Sequence, residues 1–253
     1  MEQMKTIATI EARLDSSRFP KKLIKKIDGK PAIYYLIKRL QRIKELEKIV
    51  LCTTKRKVDD DLIKLANKYN IDYFRGSYVN VIKRILQASK KFKAKIIVQA
   101  SGDSLFSDPD LIRQKLFMLK ANNADIVCTF PQTLPEGIDT PVIKTSSLNR
   151  SYKLIKKKND YEHVSKSIFD NKDKFKIIYY TPKFSEYYPS LDLCLDESKD
   201  LKLIEKFILK EKKIKKIMNV DQIVSFIKKN KKLININKNV KRKNNPKGFI
   251  FYR

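Results

Sequence analysis

The stretch TIATIEARLDSSRFPKKLIKKIDGKP, residues 6–31, carries the sequence features that decide the fold. It begins with a β-branched apolar run, typical of a buried strand, and leads into an amphipathic helical pattern that starts at residue 32. Between the two lies a loop with two arginines, two serines and several lysines. Guanidinium and ammonium groups donate charge-assisted hydrogen bonds, so this loop is chemically suited to the phosphate of a nucleotide or a nucleic acid.

The same alternation of strand and helix patterns continues along the chain. In the first helical pattern, apolar residues recur every three or four positions from Ile33 to Ile43, which predicts one buried stripe. Further strand-like runs lie at 48–54, 72–76, 95–101, 124–130, 175–181 and 191–196. Further helical patterns lie at 59–70, 80–92 and 111–120, followed by a helical pair around 146–171 and two closing helices. This order predicts an α/β fold, in which helices cover both faces of a mostly parallel sheet.

A parallel sheet binds ligands at the carboxyl ends of its strands, so the loops after residues 10, 54 and 101 should share one edge. Only five glycines occur, and they form neither a P-loop nor a dinucleotide fingerprint. We therefore expect side chains to do much of the phosphate binding.

The charge of the chain is strongly positive, with 57 lysines and arginines against 28 acidic residues. Read alone, this balance favours a nucleic acid or an anionic membrane as partner. The excess is mostly lysine, spread along the chain and densest after residue 202, without interleaved arginines and aromatics. This distribution favours a solvated basic surface, and no nucleic-acid partner is expected.

The three cysteines, Cys52, Cys128 and Cys194, lie far apart in apolar runs, which predicts free thiols in a reducing compartment. No apolar stretch approaches the ~18 residues of a membrane span. Glu11 and Arg13 interrupt the first apolar run too early for a signal peptide. We expect a cytoplasmic protein.

Two aspartates stand at predicted strand ends, Asp103 beside a glycine and Asp196 after LDLCL. Such carboxylates can hold Mg²⁺ together with substrate phosphates, although each also fits a turn or a helix cap. Asp108, directly before Pro109 and a helix, is better explained as a cap. The single histidine, His163, follows Glu162, and a lone histidine is most often structural.

Seven motifs follow one another over about residues 5–205: EARLDSSRFPKK, CTTKRKVDDDLI, FRGSYVNVIKRI, SGDSLFSDP, PEGID, EHVS and LDLCLDESKDL. Taken in series, they resemble the sugar-activating cytidylyltransferases. The nearest resemblance is to the spore coat polysaccharide biosynthesis protein F family, with CMP-Kdo synthetase and acylneuraminate cytidylyltransferase as more distant relatives.

The resemblance implies a three-layer αβα nucleotide-diphospho-sugar transferase domain, Rossmann-like, over residues 1–235, followed by a basic C-terminal tail at 236–253. It also implies Mg²⁺-dependent transfer of CMP from CTP to a small sugar, with release of pyrophosphate. We expect an acidic sugar destined for a surface polysaccharide. A homodimer is common among such enzymes.

The resemblance further assigns roles to residues. Nucleotide binding is expected of Arg13, Ser16, Ser17, Arg18, Lys22, Thr53, Arg75, Gly76 and Gly102. Asp103 and Asp196 would hold Mg²⁺. Acceptor binding is expected of Gly137, Asp139, Glu162 and His163. Direct catalytic roles are expected of Lys22, Arg13, Asp103 and His163.

The chain also departs from the family pattern. Asp15 and Lys21 replace loop glycines, while Gln99, Leu105 and Asn80 replace an arginine, a proline and an acidic residue. A carboxylate at position 15 repels phosphate unless a cation neutralises it. The alternatives are a nucleotide-binding relative with altered catalysis, a sugar nucleotidyltransferase that uses another nucleoside triphosphate, and a nucleic-acid-binding protein.

Overall fold

A seven-stranded sheet forms the centre of the molecule in a computed structural model that describes residues 5–242. The strands are β1 (Thr6–Glu11), β2 (Lys26–Ile27), β3 (Lys30–Pro31), β4 (Lys48–Thr54), β5 (Asp72–Gly76), β6 (Ile96–Ser101), β7 (Ile126–Thr129), β8 (Val142–Lys144) and β9 (Ile177–Tyr180). The sheet order is β5-β4-β1-β6-β8-β7-β9, and β2 and β3 form a separate hairpin. Within this sheet only β8 runs antiparallel to its neighbours.

The strand β1 lies between β4 and β6 and pairs in parallel with both. Its last residue, Glu11, is level with Cys52 on one side and with Ser101 on the other. The carboxyl ends of the three central strands therefore meet along one edge, as the alternating sequence pattern predicts.

Helices cover both faces of the sheet because successive strand side chains point to opposite sides. The helices are α1 (Ala32–Leu40), α2 (Asp60–Lys68), α3 (Val81–Lys91), α4 (Pro109–Ala121), α5 (Thr145–Tyr152), α6 (Lys166–Asp170), α7 (Ser198–Ile214) and α8 (Val220–Lys229). On β1, Ala8 and Ile10 join the core formed with α1, α2, α4, α7 and α8. Ile7, between them, faces the opposite side, where it packs with Ala88 of α3.

This arrangement confirms the predicted fold class, a three-layer αβα domain with a mostly parallel mixed sheet. One local prediction was wrong, the strand at 191–196. Residues 191–196 form isolated bridges, Ser104 with Cys194 and Glu136 with Asp192, because their partners are loops rather than a sheet strand. The helical pair predicted around 146–171 is confirmed as α5 and α6, which an intervening 3₁₀ turn, Lys158–Glu162, separates.

The predicted cap at Asp108 is confirmed, since one carboxylate oxygen accepts hydrogen bonds from the backbone of Asp110 (2.8 Å) and Leu111 (3.3 Å) at the start of α4. Across the part of the chain that the structure describes, no helix has the length and apolar character needed to cross a bilayer. Residues 243–253, the end of the predicted basic tail, lie outside the described residues.

Candidate active site

A cavity of about 390 Å³ opens at the carboxyl ends of β1 and β6. Its walls are the loop after β1, the Asp103 turn, the segment 129–137, the turn 162–165 and the 194–196 segment. The structure brings eleven of the predicted site residues into this lining: Arg13, Ser16, Ser17, Arg18, Lys22, Asp103, Gly137, Asp139, Glu162, His163 and Asp196. Motifs that are far apart in sequence thus share one cavity.

The side chain of Lys22 lies at the centre of one end of the cavity. Its ammonium donates to a carboxylate oxygen of Asp103 at 2.6 Å and to one of Asp196 at 3.0 Å. Burial lowers the pKa of Lys22, but the two carboxylates outweigh it and hold that pKa above its usual value. For Asp103, burial acts in the opposite direction, but Lys22 and Ser101 hold the carboxyl pKa below its usual value. Lys22 and Asp103 are therefore charged at neutral pH.

Two arginines extend this cationic end of the cavity. Arg18 contacts the same oxygen of Asp196 at 2.7 Å, while its second terminal nitrogen is buried and has no hydrogen-bond partner among residues 5–242. Arg13 points its guanidinium to Glu162, at 3.5 Å. A buried guanidinium donor without a partner is costly, so the nitrogen of Arg18 is a donor available to an oxygen-rich ligand.

The loop that carries these cations contains both of the positions where glycine was expected. Lys21 adopts left-handed backbone (φ 56°), a conformation in which glycine carries no steric cost. Asp15 pairs with Arg56 and, at 3.6 Å, with Arg13. Although partial burial acts to raise the pKa of Asp15, hydrogen bonds from Tyr78 and Arg56 hold it below its usual value. The carboxylate at position 15 is thus neutralised by arginine.

Another part of the lining holds the predicted acceptor residues. Asp139 accepts hydrogen bonds from Thr129 (2.6 Å) and from the fully buried Lys115. Gly137 has φ +83°, and a Cβ there would lie 2.9 Å from the backbone of Leu193, so this position requires glycine. Glu162 and His163 lie on the turn before α6, with Glu162 facing Arg13.

Four predicted nucleotide-binding residues do not line the cavity: Thr53, Arg75, Gly76 and Gly102. Thr53 is fully buried in β4. Arg75 donates to the backbone oxygens of Thr54 and Arg56, both at 2.9 Å, and so supports the loop that presents Arg56 to Asp15. A Cβ on Gly102 would lie 2.8 Å from the carbonyl oxygen of Glu11, so this glycine permits close packing of the turn after β6 against the end of β1.

A hydrogen-bonded chain that no sequence motif marks lies along the wall of the cavity. Ser165 donates to Gln99 (3.2 Å), which donates to Glu11 (3.2 Å), and the other oxygen of Glu11 accepts from Thr9 (2.9 Å). Burial raises the pKa of Glu11 to about 7. The only sequence signal for Glu11 is a carboxylate at the end of an otherwise apolar strand.

The carboxylates of Asp103 and Asp196 fit a hard divalent cation. Their oxygens already converge on one positive charge, the ammonium of Lys22. Among the described residues, no group of three or more histidine, cysteine or acidic side chains is arranged to enclose a metal ion. Two carboxylates without a full protein cage suit Mg²⁺, which takes its remaining ligands from water and substrate phosphates.

Comparison with known proteins gives the family. The model of the cytidylyltransferase family matches residues 7–234. The chain belongs to the cytidylyltransferase family. It is 33% identical over 242 residues to an uncharacterized protein of Methanocaldococcus jannaschii, covering 95% of this chain and 97% of that protein. It is 23% identical over 201 residues to the spore coat polysaccharide biosynthesis protein SpsF of Bacillus subtilis, covering 78% and 83% of the two chains.

Solved structures show the same cytidylyltransferase fold. A cytidylyltransferase from Leptospira borgpetersenii has a TM-score of 0.84 at 24% identity, over 95% of this chain and all of that one. A CMP:2-keto-3-deoxy-manno-octonic acid synthetase complexed with CTP has a TM-score of 0.62 at 13% identity, over 82% and 99% of the two chains. The predicted family resemblance and the predicted enzyme class, a CTP-dependent nucleotidyltransferase, are confirmed.

Proposed function

We propose that this cytidylyltransferase transfers CMP from CTP to a sugar, with release of pyrophosphate. The observation that carries the proposal is the meeting of Lys22, Arg18, Asp103 and Asp196 at one end of the cavity. In the proposed reaction a sugar oxygen attacks the α-phosphorus of CTP in line, the bond to the bridging oxygen breaks, and pyrophosphate leaves with that oxygen. Such a reaction depends mainly on positioning and on charge stabilisation.

The cations of the loop after β1 provide that stabilisation. Arg13, Arg18 and Lys22 all line the cavity, and Arg18 has a buried donor to offer. We assign these three residues, with the hydroxyls of Ser16 and Ser17, to the triphosphate. Their charges would stabilise the negative charge that grows on the departing pyrophosphate.

Asp103 and Asp196 would hold Mg²⁺, because their oxygens converge and are suited to a hard cation. When bound, Mg²⁺ supplies Lewis-acid neutralisation of the phosphate oxygens. Lys22 contacts both carboxylates and is largely buried, so its ammonium keeps them fixed and aligned at this end of the cavity.

For the acceptor we propose an acidic sugar, the class to which the 2-keto-3-deoxy-manno-octonic acid named for the structural relative belongs. The relative SpsF is named for polysaccharide biosynthesis, which supports a product used for a surface polysaccharide. Glu162, His163, Gly137 and Asp139 line the cavity beyond the cationic end and would contact the acceptor. His163 is our candidate for the base that receives the acceptor proton.

Nucleotide binding can be tested before the acceptor is known. A ligand that binds only the folded protein raises its stability, by about 2.7 kcal/mol at a hundred times its Kd. We would measure the thermal shift with CTP, UTP, ATP and GTP, with and without Mg²⁺, for the wild type, Asp103→Asn and Asp110→Asn. Asp110 is the matched control, since it is an exposed aspartate on α4.

The proposal expects a Mg²⁺-dependent shift selective for CTP, present in Asp110→Asn and lost in Asp103→Asn. A shift selective for UTP or another triphosphate would contradict the CTP assignment. Pyrophosphate release with a panel of acidic and neutral sugars is the second step. Tight CTP binding without turnover on any sugar would instead support a nucleotide-binding relative with altered catalysis.

A further inference from the structure

Three aspartates surround the start of α7 at four-residue spacing. Asp196, the proposed metal ligand, is flanked by Asp192 before it and by Asp200 in the first turn of the helix. Asp200 is fully buried, and one of its oxygens accepts hydrogen bonds from the backbone nitrogens of Asp196 (3.0 Å) and Glu197 (2.8 Å). The backbone position of Asp196 therefore depends on the position of the Asp200 carboxylate.

The end of the described chain holds this carboxylate in place. The amide of Asn237 donates to Asp200 at 2.8 Å and to the backbone oxygen of Asp192 at 2.9 Å. Arg242 then places its guanidinium between the flanking aspartates. It reaches Asp192 at 2.8 Å and the two oxygens of Asp200 at 2.8 and 3.0 Å.

The contact of Arg242 with Asp196 itself is weaker. A guanidinium nitrogen of Arg242 lies 3.8 Å from Oδ2 of Asp196. The other carboxylate oxygen, Oδ1, contacts Lys22 and Arg18. The side chain of Arg242 is only 12% exposed, so it is a built-in part of the cluster rather than a surface ion pair. Planar bidentate pairing of this kind fixes the orientation of the paired carboxylate in addition to balancing its charge.

We infer that Arg242 is a positioning residue of the active site, which acts through Asp192 and Asp200 to fix the carboxylate of Asp196. The inference rests on the proposed function, since it assigns Asp196 to Mg²⁺ and the triphosphate. Nothing in the cytidylyltransferase motifs marks Arg242, because it lies past residue 234, where the family match ends. The C-terminal segment thus completes a site that is otherwise built from the first 200 residues.

The test compares Arg242→Gln with Lys241→Gln, which removes an exposed positive charge from the neighbouring residue. For each protein we would titrate Mg²⁺ in the presence of CTP and record the thermal shift, then measure kcat and the KM values for Mg²⁺ and CTP. Loss of an outer-shell partner typically weakens metal affinity by about 10- to 100-fold. We expect Arg242→Gln to raise the half-saturating Mg²⁺ concentration by about tenfold or more, and Lys241→Gln to leave it unchanged.

Arg242→Lys keeps the charge but not the planar fork, so it should recover only part of the Mg²⁺ affinity. It also serves as the test protein if Arg242→Gln does not fold. If Arg242 only stabilises the fold, Arg242→Gln and Arg242→Lys should lower the melting temperature and leave the half-saturating Mg²⁺ concentration unchanged. That result would overturn the inference. If the wild type itself shows no Mg²⁺-dependent response to CTP, the proposed function fails and the inference fails with it; a normal wild-type response identifies a failure of the inference alone.

Discussion

The ammonium of Lys22 lies 2.6 Å from the carboxylate of Asp103, although 81 positions separate the two residues in the chain. The contact links the loop after β1 to the turn after β6, two strands whose ends are held level by their parallel pairing with each other. Since Lys22 also reaches Asp196, one side chain joins three motifs in a single site.

We expect Lys22→Ala to lower the rate of pyrophosphate release by about 10² to 10³, the usual cost of removing one preorganised charge. Lys26→Ala, which removes an exposed lysine of the β2–β3 hairpin, is the control and should react normally. Initial rates at saturating CTP and Mg²⁺ make the comparison. Equal rates in the two variants would exclude the assigned role of Lys22.

The pairing of Asp15 with Arg56 predicts a charge-dependent CTP affinity. Arg56→Gln should raise the KM for CTP by about two- to fivefold at low salt, because it leaves a carboxylate beside the triphosphate loop. Adding Asp15→Asn should restore the wild-type KM. A double variant no better than Arg56→Gln would show that Arg56 acts independently of Asp15.

The raised pKa of Glu11 predicts that the unfolding free energy depends on pH. Its pKa is raised from 4.5 to about 7 in the folded protein, so the protonated form is favoured by folding. The stability that it contributes is complete below pH 4.5 and is lost as the pH rises to about 7. Relative to Glu11→Gln, the wild type should lose up to about 3 kcal/mol of unfolding free energy over this range.

Urea denaturation at several pH values from acid to neutral measures this difference. Glu45→Gln, an exposed glutamate, provides a control that should follow the wild type. Parallel curves for the wild type and Glu11→Gln would mean that the pKa of Glu11 is not raised in the folded state.

The contact between the fully buried Lys115 and the partly exposed Asp139 should be costly to break from one side. Lys115→Met leaves the Asp139 carboxylate with Thr129 but without the Lys115 amine, and we expect a loss of about 1.5–3 kcal/mol in unfolding free energy, the usual contribution of a hydrogen bond to a charged group. Lys120→Met, an exposed position on the same helix, is the control. The double variant Lys115→Met/Asp139→Asn should recover much of the lost unfolding free energy. If it recovers none, the loss comes from packing rather than from charge.

The general-base assignment of His163 predicts a change in the pH–rate profile. Protonation of His163 would remove the base, so the wild-type rate should fall toward acid pH, and His163→Gln should lose this acid limb. Tyr161→Phe, on the same turn but outside the cavity lining, is the control. An unchanged limb in His163→Gln would assign it to another group.

Much of the fold follows from local sequence patterns. Strands β1, β4, β5, β6 and β7 and helices α1 to α4 lie where apolar periodicity predicts them, because each buries a face whose spacing is visible in the sequence. The strand predicted at 191–196 was wrong. Its alternating pattern reflects burial against loops, which imposes the same alternation as a sheet without continuous strand pairing.

The cationic end of the cavity was also predictable, because its residues come from motifs with a known order. The chain from Glu11 through Gln99 to Ser165 was not, since each link joins residues that are tens of positions apart. The role of Arg242 could not be predicted from the sequence for another reason. Among many lysines and arginines in the C-terminal region, only the folded structure distinguishes an arginine bound to buried aspartates from one that is solvated.

The central position of β1 in the sheet affects how the protein folds during its synthesis on the ribosome. Strand β1 finds one neighbour in the sheet only when β4 emerges and the other when β6 follows, at residues 96–101. Such distant parallel pairing is intrinsically slow. Asp196 and Arg242 are translated later still, so the nascent chain would hold a partly formed sheet with an incomplete active centre until Arg242 has emerged.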